Sequence, residues 1–130
     1  MIDIVKATVK VPRITWQLQP RGTKYIGMYD HIMDVLNGTL HKYAKFKFGT
    51  THLPANRLEK FDTFKQSPQL LVMVVCSESS KVIARLEEEC VANFRGDSRM
   101  LNFRDGGGDW ARIGVPPHFL YIAFSRRLHC

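Results

Sequence analysis

A chain of 130 residues lies within the usual size of one domain and buries roughly two-thirds of the surface that its unfolded form exposes, so a core forms without disulfides or metal staples. With 45% apolar and 24% charged residues it falls outside the disordered, collagen-like and membrane-spanning classes. Nineteen Lys and Arg against twelve Asp and Glu give a net charge of +7, which suits a polyanionic partner, because each cation set against a phosphate releases condensed counterions.

From Ile2 to Leu18 apolar residues tend to alternate with polar ones, the period of half-buried strands, with Pro12 breaking the run; one or two N-terminal strands are expected. The acid at Asp3 and the alternation that follows are unlike a secretory leader. Gln19 to Thr23 reads as a turn and Tyr25 to Tyr29 as a short strand. Ile32, Met33, Leu36 and Leu40 then recur at helical spacing, with Asn37-Gly38 placed to end or interrupt that helix. A strand follows, carrying Ala44, Phe46 and Phe48 on one face and Lys45 and Lys47 on the other.

Pro54 suits the first turn of a second helix running to about Lys65, which Ser67-Pro68 closes. Leu70 to Cys76 is the clearest core strand, and Ser77 to Ser80 caps a third helix that continues to about Phe94. Asp105 to Asp109 is a glycine-rich loop that could cradle a phosphate but lacks the strand-before, helix-after setting of a phosphate loop. Phe119 to Phe124 makes a last strand. The expected architecture is a single α/β domain over residues 1–130, a small mixed or antiparallel sheet flanked by about three helices.

The apolar runs are too short for the ~20 residues that cross a bilayer, so no membrane partner is expected. Three widely spaced cysteines, Cys76, Cys90 and Cys130, suit reduced thiols and an intracellular, cytoplasmic or nuclear, setting. The histidines and cysteines show no zinc spacing.

Two charges fall on the wrong faces of their helices. In the third helix the apolar stripe is Ile83, Leu86, Cys90, Val91 and Phe94, and Glu87 lies inside that arc while Glu88 and Glu89 rotate toward the polar side. In the second, Leu58, Phe61 and Phe64 form the stripe, and Arg57 projects toward the same side. A partly buried charge must find a counter-charge, a metal or a ligand. Arg57 and Glu87 are therefore either a buried ion pair tying two helices or parts of one site.

Lys47-Phe48-Gly49-Thr50-Thr51, with Arg57 eight residues beyond the glycine, resembles the second signature of the GIY-YIG endonucleases in the form that starts Lys-Ile-Gly. A strand, a helix carrying Glu87, and Asn102 follow in that family's order, and Gly27-Met28-Tyr29 resembles its first signature, with a longer spacer than usual. The resemblance implies a metal-dependent endonuclease acting on nucleic acid, DNA ahead of RNA. In it Glu87 holds one Mg²⁺ or Mn²⁺, Arg57 clamps the scissile phosphate, and Tyr29 or Lys47 orients or deprotonates the attacking water. Lys45, Gly49, His52, Lys60 and Asn102 are the residues expected to border the strand. The alternative is a non-catalytic basic module on the same fold that binds nucleic acid or a protein, with Arg57 and Glu87 merely paired.

Overall fold

The computed structural model describes residues 14–52, 69–102 and 116–127. In chain order they form β1 (Ile14–Trp16), α1 (Tyr25–Leu40), β2 (Tyr43–Thr51), β3 (Leu70–Ser77), α2 (Ser80–Asn93) and β4 (His118–Arg127). The strands make one mixed sheet in the order β1-β3-β4-β2, with β1 parallel to β3 and the other two pairings antiparallel. The α/β architecture is as expected, with two helices among the described residues. The expected helix of Arg57 and Lys60 lies outside them, as do the glycine-rich loop and Cys130.

The sheet has two unlike faces. On the first, Phe46, Phe48, Val72, Val74, Leu120, Ile122 and Phe124 join the apolar stripes of α1 and α2 in one buried cluster. On the second, Ile14, Leu71, Met73, Phe119, Tyr121 and Ala123 form a smaller cluster rimmed by Trp16, Leu18 and Cys76. Alternate residues of β4 thus enter opposite clusters, which is why this central strand reads as one unbroken apolar run rather than an alternation. In β3 the alternation slips: Val74 and Val75 both enter the first cluster, because a bulge shifts the register between Met73 and Val75.

Helix α2 forms as its sequence dictates. The Ser79 hydroxyl accepts the Val82 N–H, a side-chain cap on a donor the helix cannot satisfy itself. Ile83, Leu86, Cys90 and Val91 are buried, and the Phe94 ring closes on Phe46 and Phe48 at 5.2 and 5.9 Å. Helix α1 corrects two expectations. Tyr25 to Tyr29 is its first turns, not a strand: Tyr25, Met28 and Tyr29 stand at i, i+3 and i+4 and pack on the cluster that holds Ile32 and Leu36. Asn37-Gly38 does not stop it either, since both face outward and one more turn buries Leu40.

Among the described residues no helix is long and apolar enough to cross a membrane. Cys76 and Cys90 are free thiols. Burial, with Glu89 and Glu87 nearby, pushes the Cys90 thiol up to about 12, so it stays protonated and unreactive at neutral pH.

Candidate nucleic-acid interface

Five of the residues expected to bear function, Lys45, Lys47, Gly49, His52 and Asn102, lie on or beside β2. Its alternation turns Phe46 and Phe48 into the helix-covered cluster and leaves Lys45, Lys47 and Gly49 on the second face, Lys45 and Lys47 half-buried. Opposite them on β4 stand Ser125, Ala123 and Tyr121. The Tyr121 ring lies directly over Gly49: a Cβ at this position would collide with its Cζ and Oη, so any larger residue has to push the ring aside. Lys47 is the diagonal neighbour of Tyr121 across the pair, at a separation of roughly 7–8 Å that a long side chain spans.

Past α2 the chain turns through Gly96, whose φ of 89° suits glycine, and returns along the outer side of β2. Phe46 N–H donates to the Arg99 carbonyl at 2.9 Å and Leu101 N–H to the Phe46 carbonyl at 2.8 Å. Asn102 completes the run with its side chain: Phe48 N–H donates to its Oδ1 and its Nδ2 donates to the Phe48 carbonyl, both at 2.9 Å. Its amide is occupied with the Lys-Phe-Gly strand rather than turned to a ligand.

The same return segment occupies Lys45, whose Nζ donates to the Ser98 carbonyl at 2.8 Å. Next to it Arg99 grips Asp97 through two side-chain hydrogen bonds, the shorter 2.7 Å, and that grip holds the Asp97 carboxyl down at about 2. His52 follows directly on β2 and is half-buried.

The helix-borne candidates sit elsewhere. Of the three adjacent glutamates, Glu87 is half-buried and Glu88 exposed, as the helical geometry requires. Glu89 was expected on the water side with Glu88, yet it too is half-buried, 3.5 Å from Arg85 and beside Tyr25. The Tyr25 hydroxyl is pushed up to about 12, by burial first and by the neighbouring Glu89 carboxylate second. Tyr29, one turn further along α1, is likewise raised by burial, with Cys90, Glu89 and Asp30 adding to it. A tyrosine so placed holds its proton at neutral pH and is a poor base. Tyr29 and Glu87 belong to the helical layer on the first face, whereas Lys47 and Gly49 look out from the second.

The resemblance offered Tyr29, from the first signature, as a residue acting on the attacking water; the tyrosine that the sheet sets against Gly49 is Tyr121. The signal for it is the apolar run Phe119 to Phe124, whose single tyrosine reads only as part of a core strand. Trp16 lies half-buried on the rim of the second cluster, edge-on to Phe119 at 5.4 Å. Arg126 and Arg127 end β4.

Among the described residues no three His, Cys, Asp or Glu converge on a point that could hold a metal ion. A closed, all-protein metal cage is therefore not built there. A single carboxylate such as Glu87 fits only a hard cation that keeps most of its waters, as Mg²⁺ does. No protein-family model matches the chain, and no match was found among curated proteins or solved structures.

Proposed function

We propose that this chain is a divergent GIY-YIG-type endonuclease, cutting phosphodiester bonds of nucleic acid with one divalent ion. The observation that carries the reading is the pair of hydrogen bonds from Asn102 to Phe48, which joins the end of the motif series to its Lys-Phe-Gly strand. In this reading Tyr121 takes the place beside Gly49, and Lys47 supplies the positive charge that a tyrosine needs before its hydroxyl can release a proton near neutral pH. Arg57 clamps the phosphate through its two-pronged guanidinium. Glu87 would hold the Mg²⁺ or Mn²⁺, which, when bound, steadies charge developing on the leaving oxygen.

A non-catalytic nucleic-acid-binding module is the second reading, favoured by the sheet that stands between the helix of Glu87 and the face of Lys47 and Gly49. Cleavage assays on plasmid DNA and on RNA with Mg²⁺ and Mn²⁺ separate the two. A nuclease loses its metal-dependent cleavage in Glu87→Gln, while Tyr121→Phe lowers the rate by ~10²-fold or more and Tyr29→Phe leaves it intact. Loss in Tyr29→Phe with full activity in Tyr121→Phe would reverse the tyrosine assignment, and a parent chain that binds but never cuts supports the module.

A further inference from the structure

One buried titratable group has no place in that chemistry. His118 opens β4 opposite Ser77 of β3, is 3% exposed, and its Nδ1 is buried without a hydrogen-bond partner. The β2–β4 ladder runs as far as Thr51 opposite Phe119, and the next antiparallel step brings His52 alongside His118. Three strand ends therefore meet at this ring.

What surrounds the ring decides how it responds to a proton. His52 repels the protonated form and Glu78, just past β3, attracts it. The first turn of α2 adds no acid. The Ser77 Oγ accepts the Ser79 N–H, which turns it toward the start of α2. A neutral ring costs only its unpaired Nδ1, whereas a protonated one sets a charge in a buried position next to the imidazole of His52.

We propose that the end of the sheet where β2, β3 and β4 meet is an acid-released latch, closed while His118 is neutral and opened when it takes up a proton beside His52. Burial first and His52 second hold the folded-state affinity of His118 for a proton below the ordinary value, and Glu78 only partly offsets them. The open chain then binds the proton more readily than the closed one. The latch is fully stable above ~pH 6.5 and loses stability as the pH falls below that value. It lies just beyond Gly49, so release frees the end of the strand that carries Lys47.

Hydrogen exchange on the full chain, read by mass spectrometry and corrected for intrinsic rates, tests the latch at about pH 7.5 and about pH 5.5. Peptides covering Gly49–His52 and His118–Leu120 should lose protection by roughly tenfold or more in acid while α2 keeps its own. His118→Phe, an uncharged ring of similar bulk, should abolish that loss, and His52→Ala should reduce it. Equal loss in His118→Phe and in the parent overturns the proposal, as does a parent whose protection is the same at both pH values. Should His118→Phe not fold, titration of the imidazole protons by NMR in the parent decides: His118 protonating at or above ~6.5 overturns the latch, and protonating below it together with the acid opening supports it.

Discussion

Where the ring of Tyr121 covers Gly49, one methyl group is enough to disturb the sheet. Gly49→Ala forces the ring aside in a packed cluster, and a loss of ~1–3 kcal/mol is expected, measured by urea unfolding. The glutamates of α2 give a second test: Glu88→Gln, exposed, should leave both melting temperature and any cleavage unchanged, whereas Glu87→Gln should affect whichever role Glu87 serves. Glu89 has a readout of its own. Removing its charge in Glu89→Gln should bring the ultraviolet titration of Tyr25 down from about 12, yet not to the value of a free tyrosine, because burial is the larger cause of the rise. The half-burial of Glu87 was visible in the sequence because it follows from helical rotation alone. That of Glu89 was not, since it depends on α1 bringing Tyr25 to the far flank of α2.

Helix α2 and strands β2, β3 and β4 could be read from the sequence because local pattern and final packing agree: a serine cap with a 3.6-residue stripe for the helix, a strict alternation for β2, and continuous apolar runs for strands buried on both sides. Helix α1 defeated that reading at its start. Tyr25, Gly27 and Tyr29 mimic a two-residue period, no side-chain cap announces the helix, and only contact with the core selects the helical face of Tyr25, Met28 and Tyr29. The pairing of β4 between β3 and β2 was equally out of reach, because it rests on contacts between distant parts of the chain. The return segment that ends in Asn102 is likewise a tertiary feature. Asn102→Asp keeps the size but cannot donate to the Phe48 carbonyl, and it sets a charge against that oxygen. It should cost ~1–3 kcal/mol in thermal or urea melts and loosen amide exchange along the outer side of β2.

Taken as one object, the molecule carries +7 of net charge, and both helices among the described residues pack on one face of its mixed sheet. Binding to DNA or RNA should weaken steeply with salt, the logarithm of affinity falling by ~0.9 per phosphate contacted for each unit of log salt on duplex DNA, as read by fluorescence anisotropy. An affinity that stays flat across salt assigns the charge to solubility. At both flanks of the sheet a carboxamide does the work of a missing strand. Beyond the short β1, the Gln19 side chain accepts the Cys76 N–H at 3.1 Å and donates to the Cys76 carbonyl at 2.8 Å, as Asn102 does with Phe48 on the other flank. Bare strand edges are templates on which a second molecule can add its own strand, and the route to fibrils starts there. Two amides that each mask one residue's donor and acceptor interrupt that template on either side, so Gln19 and Asn102 shield the strand edges against the addition of a further strand.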